Sequence, residues 1–268
     1  MPSGRLSYQR AVGRIRLGLG DRDGQPQLRT AFQDGCAKLR FPARSDGLDE
    51  AMVLNTAGGL ADGDRFEVSV SLACHRLITS TQASERVYRS EGGTAKVVQQ
   101  FSVSDGAHLI HMPQPTILYD RAALRRRSTI SLTKDAGFTF CEGLVLGRAA
   151  MGERVTSLDL HDRTEVIVDG EPHFIDALRL DDEALLHLDR EAMGSGALAI
   201  GLVIHRGERL GGQLDVARDA VGSLGGATIV GGCLVARLLA PSHRRLQDAL
   251  LGVMGALSGV APPRAWQL

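Results

Sequence analysis

Lysine is almost missing from this 268-residue chain: Lys38, Lys96 and Lys134 are the only three, and arginine carries the rest of the positive charge. Formal charge sums to +0 and the pI is near 7.1. Generic binders of nucleic acid or anionic lipid depend on an excess of Lys and Arg, so this balance argues against both as partners. Long hydrophobic runs are missing too. None approaches the ~20 residues that span a bilayer. Met1 to Gly20 lacks the continuous apolar centre of a secretion leader and places Arg14 and Arg16 where it would lie. The expectation is a cytoplasmic protein with no membrane partner. Cys36, Cys74, Cys141 and Cys233 are far apart and form no CxxC. In a reducing compartment they are expected to be free thiols, two or more of them in the core.

Catalytic signatures are equally scarce. Gly58, Gly59 and Gly63 hint at a phosphate cradle, but they precede a strand, no lysine follows, and no helix N-terminus is at hand. There is no G-x-S-x-G elbow, and a scattered Ser, His and Asp prove nothing in a chain of this length. His108 and His111 sit three apart in a predicted strand, which sends them to opposite faces and prevents joint chelation. Cys74 and His75 fail by the same geometry. A dedicated tight zinc or nickel site is not expected.

What the chain does contain is alternation. Phe66, Val68, Val70 and Leu72 alternate with Glu67, Ser69 and Ser71, a strand with one buried face. The apolar run from Leu77 to Thr81 is expected to pair back on it as a hairpin across Cys74-His75. Ile15, Leu17 and Leu19 mark a first strand, with Asp21-Arg22-Asp23-Gly24 turning it into 27–32. Further strands are predicted at 51–54, 95–103, 107–112, 116–119, 128–133, 138–146, 156–160, 165–168, 173–180, 197–205 and 228–239. Ser104-Asp105-Gly106, Pro113-Gln114-Pro115 and the run Arg125 to Arg127 act as separators. Asp182 to Glu191 fits a short helix. One amphipathic helix closes the chain: Ser242 can cap it, and Leu246, Ala249, Leu250, Val253, Met254 and Leu257 share a stripe. Turns this frequent argue for a mostly β protein rather than βαβ units, and no linker or repeat divides residues 1–268.

Glu85 to Ser90, with Arg86, Tyr88 and Arg89, is dense in polar groups. It reads either as a solvated strand end or as a fixed Arg/Tyr surface that docks a partner.

Asn55-Thr56-Ala57-Gly58-Gly59-Leu60, Gly63-Asp64, Thr79 to Gln82 and Tyr88-Arg89-Ser90 occur in that order. Met112-Pro113-Gln114-Pro115-Thr116-Ile117, Glu142 through Gly147-Arg148, Ala236-Arg237-Leu238-Leu239 and Pro263-Arg264-Ala265-Trp266 follow. This ordered set resembles the urease accessory protein D family, also called UreD or UreH. The main departure from it is Phe41 to Glu50, which is short and weakly patterned. The resemblance implies one mostly β domain, an extended β-sheet sandwich often described as β-helical, with a C-terminal helix. It implies no catalysis. Members join UreF and the GTPase UreG, dock on apo-urease and help deliver nickel, a transient cargo rather than a tightly bound cofactor. The partner-binding or nickel-route candidates are then Asp64, Arg86, Tyr88, Arg89, Ser90, Gln114, Glu142 and Arg148, with Gly58, Gly59, Gly63 and Pro113 as structural positions. Asp64 is expected to brace the arginines of the hairpin through an Asp–Arg network, or else the segment lines the metal's route or docking face. Metal ligands stay unassigned. A stand-alone metal-binding chaperone with other partners is the alternative, and a β-sheet hydrolase a distant third.

Overall fold

The structure, a computed structural model, describes residues 10–208 and 210–267. The first nine residues weighed as a leader lie outside it. Strands β1 (Val12–Arg22) and β2 (Gln25–Gly35) form an antiparallel hairpin whose turn residues Asp23 and Gly24 take φ of 55° and 78°. Positive φ at both central positions is what a type I′ two-residue hairpin turn requires. Then come β3 (Ala37–Arg40), β4 (Asp49–Asn55), β5 (Arg65–Ala73), β6 (Arg76–Thr81), β7 (Arg86–Val87), β8 (Ala95–Ser104), β9 (His108–Met112) and β10 (Thr116–Leu118). β11 (Ala122–Leu132), β12 (Gly137–Leu146), β13 (Leu158–Val168) and β14 (Glu171–Leu180) follow, and then helix α1 (Asp182–Leu188). The chain ends with β15 (Ala199–Arg206), α2 (Leu210–Val221), β16 (Gly225–Val230), β17 (Cys233–Ala240) and α3 (His243–Ser258).

Two sheets face each other. One has seven strands in the order β14-β13-β11-β8-β5-β1-β2; the other has ten, with the path β16-β17-β15-β12-β9-β6-β4-β3 and β10 and β7 paired beside β12. From β4 to β13 the chain crosses from one sheet to the other and back, so β1, β5, β8, β11 and β13 are parallel neighbours, as are β4, β6, β9 and β12. Arg65, Lys96 and Arg125 lie in register at steps of 31 and 29 residues, one turn of a β-helical coil each. The fold is therefore mostly β and β-helical in its centre, as the family resemblance implies.

Several local expectations change. β5 and β6 do not form a hairpin: each already lies between two parallel neighbours, so neither offers the other a free edge. Cys74 and His75, with φ of 57° and 62°, instead turn the chain over to the opposite sheet. Arg125 to Arg127 does not separate strands but lies within β11. The predicted strands 156–160 and 165–168 are the single strand β13, and 228–239 is the β16–β17 hairpin, broken at Gly231 and Gly232. The helix proposed over 182–191 stops at Leu188. β3 and α2 were not anticipated.

Most of α2 and α3 lie over the outer face of the ten-stranded sheet. Leu246, Leu250 and Val253 of α3 are 0% exposed there. Glycine makes the room: a Cβ on Gly201 would sit 2.8 Å from Leu246 Cδ1, and one on Gly143 3.3 Å from Leu246 Cδ2. Ser242 caps α3 by accepting a hydrogen bond from the Arg245 amide. Beyond the helix, Trp266 Nε1 donates to the Met112 carbonyl at 2.9 Å and pins the C-terminal segment to the sheet.

Candidate functional site

Alternation along the strands sends every second residue into the space between the sheets, and most of those are apolar: Val70, Phe101, Ile130 and Val166 form one row. Two rows along, the pattern changes. Phe66, Val97, Arg126 and Asp162 are in register there, so a guanidinium and a carboxylate meet on neighbouring strands inside the sandwich. Arg126 Nε donates to Asp162 Oδ1 at 3.0 Å and Nη2 to Oδ2, a bidentate pair. From the opposite sheet Glu142 brings Oε2 to 3.1 Å from Arg126 Nη2, and Thr116 Oγ1 accepts from Nη1 at 3.3 Å. Arg126, Asp162 and Glu142 are 8%, 9% and 3% exposed.

One guanidinium thus serves two carboxyls. Burial penalises every charge in this cluster, and attraction offsets that penalty only where the geometry is good. Asp162 has the better geometry. Glu142 shares what remains, and burial pushes its carboxyl well up from the usual carboxylate range, against the pull of Arg126. Arg126 itself is held charged: its two carboxyl partners outweigh the burial that would lower it.

Beside the cluster is a cavity of about 70 Å³, whose wall includes Glu85, Gln99, His111, Gln114, Arg126 and Glu142 among apolar residues such as Val53, Leu60, Phe66 and Val87. Glu85 is half-buried and accepts from Asn55 Nδ2 at 3.1 and 3.2 Å. Burial raises its carboxyl, the more strongly than Asn55 lowers it. Gln114 takes its place through its own amide, which donates to Thr81 Oγ1 at 2.8 Å, and through Nε2, which donates to the Ala265 carbonyl at 2.8 Å. Pro113 also lines the cavity. His108 and His111 point to opposite faces of β9 as predicted: His108 bonds to Thr139 under the helices, His111 to Thr79 inside the sandwich. Among the described residues no three His, Cys, Asp or Glu side chains are grouped to hold a metal ion. All four cysteines are free, Cys141 and Cys233 buried.

The other predicted residues lie on a surface strip. Leu60 bridges to Val87, β7 pairs with β10, and β10 with β12. On this strip the Tyr88 hydroxyl donates to the Gly58 carbonyl at 2.9 Å, and its ring meets Tyr119 edge-on at 5.1 Å. Arg148 lies 4.3 Å over the Tyr119 ring and donates to Glu153 at 2.7 Å. Gly59 is required here, because a Cβ would be 2.4 Å from the Tyr88 ring. Gly58 and Gly63 turn the chain at φ of 78° and 74°. Ser90 Oγ donates to the Gly93 carbonyl at 2.7 Å and closes a loop.

Among the described residues the expected Asp64–Arg network is absent. Asp64 accepts instead from the Ala11 and Ala61 amides, at 2.7 and 2.8 Å, and so clamps the turn. Arg86 and Arg89 are exposed, and their side chains make no hydrogen bond or ion pair among the described residues. The arginine that does matter is Arg126. Its signal lay inside the 125–127 run: in a strand, the middle residue of three faces away from its neighbours. Asp162 and His111 had no comparable mark.

The family described as "UreD urease accessory protein" matches residues 11–267. A protein of Rhizobium leguminosarum bv. viciae named "Urease accessory protein UreD" is 39% identical over 263 residues, covering 97% of this chain and 96% of its own. One of the same name from a Methylobacterium strain is 35% identical over 97% of this chain and 95% of its own. "Urease accessory protein UreD 1" of Brucella ovis is 36% identical over 98% and 96%.

Proposed function

We propose, from the premise that this chain belongs to the UreD family of urease accessory proteins, that it serves urease maturation as a non-enzymatic carrier scaffold for nickel. In this reading residues 1–268 act as one unit in the cytoplasm. The chain joins the accessory proteins UreF and UreG, docks on apo-urease and passes nickel on as cargo, holding no tight cofactor. Among the described residues no helix is long and apolar enough to cross a membrane.

The observation that carries the route is the group of charged and polar side chains, Glu85, Gln114, Arg126 and Glu142 among them, that lines a cavity inside an otherwise apolar sandwich. Interior carboxyls are costly unless something needs them. Glu142 is only partly matched by Arg126, so it has capacity left for a passing dication. A cation in transit must also leave, which favours few ligands over a closed cage. Arg86, Tyr88, Arg89, Ser90 and Arg148, on or beside the exposed strip over this space, are the proposed contacts to a partner.

The test is co-expression of urease with its accessory proteins, with and without this chain, measuring nickel per urease active site. Nickel loading is expected to depend on the chain. Glu142→Gln should lower loading while UreF still co-purifies with the variant. Full nickel occupancy in the absence of the chain would overturn the reading.

A further inference from the structure

Arg126 faces the interior, and by the alternation of β11 its neighbours Arg125 and Arg127 face outward from the seven-stranded sheet. They are not alone there. Arg65, Lys96, Arg125, His161 and Arg179 are in register across β5, β8, β11, β13 and β14, so five neighbouring strands each place a basic side chain at one level. Neighbouring strands are ~4.8 Å apart, which makes the row ~19 Å long. Two residues along, Arg127 and Arg163 stand side by side, and Arg14 lies farther along that second row.

Like charges abreast on adjacent strands repel, so such a row costs free energy unless anions offset it. Four carboxylates do so in part. Glu67 lies 3.4 Å from Arg14 and also pairs with Arg65, and Asp159 is 2.7 Å from Arg125. Glu165 is shared between Arg127 and Arg163 at 3.6 and 3.7 Å, and Asp181 is 3.3 Å from Arg179. Seven Arg and Lys side chains in the two rows against these four leave an excess of +3, with His161 counted as neutral, on a chain whose formal charge is +0. Exposed Lys96 makes no ion pair among the described residues. The side chains of Arg127 and Arg163 stay 63% and 42% exposed, and one shared carboxylate leaves most of their five donors each unused. Between the basic side chains is a shallow depression of about 380 Å³, whose lining includes the short apolar Val98 and Ala177. Ile175, two residues from Ala177 on β14, is 46% exposed.

We propose that the outer face of the seven-stranded sheet, over β8, β11 and β13, docks an acidic segment of a partner protein. Its carboxylates are taken by Lys96, Arg125, Arg127 and Arg163. The carboxylates already on the face show the pairing that the partner extends, with guanidinium forks suited to it. The same carboxylates repel the unbroken phosphates of a nucleic acid or an anionic membrane, whereas Val98, Ala177 and Ile175 offer apolar contact to protein side chains. The inference goes beyond the nickel-carrier reading and rests on none of its residues.

The probe is fluorophore-labelled octaglutamate, titrated with the full-length chain and read by fluorescence anisotropy. It should bind, and more weakly as salt rises from about 0.05 to 0.5 M, because solvent-exposed charges are screened. Arg127→Glu combined with Arg163→Glu should weaken binding about ten-fold or more. Arg86→Glu combined with Arg89→Glu, the same charge change on exposed residues elsewhere, should shift affinity less than about two-fold. Failure to bind at low salt would overturn the proposal. So would an equal loss from the two double variants, which would show that net charge alone is felt. Tighter binding of octathymidylate or of phosphatidylserine vesicles than of octaglutamate would assign the face to another class of anion, and would overturn it too. Should the Arg127/Arg163 variant not fold, Lys96→Glu, which breaks no ion pair among the described residues, decides by the same comparison: weaker binding supports the proposal and unchanged binding overturns it.

Discussion

The two sheets bury the same inner space but have opposite outer faces. Outside the ten-stranded sheet, α2 and α3 build a second core with Ile110, Cys141, Val203, Leu234 and Leu238. Outside the seven-stranded sheet no helix among the described residues lies over β5, β8 and β11, and its rungs are polar: Ser71, Ser102 and Ser131 are in register, as are Ser69, Gln100 and Thr129. The consequence is visible strand by strand. β11 alternates buried with partly exposed residues, while all ten residues of β12 are buried. A sheet covered on both faces loses the period-two signal; a sheet covered on one face keeps it.

The interior is where both sheets should be most sensitive. Arg126→Met leaves Asp162 and Glu142 buried without their counter-charge, and should destabilise by about 3–5 kcal/mol in denaturant titrations. The loss should grow as pH rises. Burial already raises the Glu142 carboxyl above its ordinary 4.5, so the folded state holds a proton that the unfolded chain gives up. Stability from this group is complete below 4.5 and falls as pH climbs toward neutral. A loss that is independent of pH would show that the carboxyls are not the cause.

The same asymmetry can be tested with a matched charge. Leu250→Asp puts a carboxylate beneath α3 and should cost about 2–5 kcal/mol. Ser102→Asp, on the bare face of the other sheet, should stay within about 0.5 kcal/mol. Equal effects would mean that the bare face is covered after all.

Acid pH addresses the buried histidines on both sides of the ten-stranded sheet. Burial pushes His108, His111 and His205 down from 6.5 to about 4, 3 and 4. Between 6.5 and 4 the unfolded chain takes up protons that the folded chain refuses, so stability falls as pH falls. With Glu142 acting in the other direction, thermal unfolding midpoints should peak at about pH 6.5–7. A midpoint flat from pH 7 to 5 would contradict the burial of these rings.

Residues 66–72 announced their strand because one face is wet, and Ser242 with the 246–257 stripe announced α3 because a cap and a 3.6-residue period are local signals. The surface strip was legible in the same way, through Gly58-Gly59 and Tyr88. α2 escaped because Gly211 and Gly212 are poor helix formers that hide its first turn in the sequence, and Asp and Arg leave only a sparse stripe at Leu214, Ala217 and Val221. The arginine run was misjudged because charge usually marks a loop, whereas Arg126 faces inward to a carboxylate 36 positions away.

Composition and local pattern by themselves determined that this chain is rich in sheet, closes with an amphipathic helix and carries the ordered motifs of its family. Only the tertiary structure decided which strands are neighbours, and with that the site. Parallel coiling sets Arg126 beside Asp162 and brings Glu142 across from the other sheet. It also encloses His111 Nε2 in a cavity that no sequence spacing foretells. Period and capping act over one turn or one strand, and register across a coil of some thirty residues is fixed only when both sheets pack.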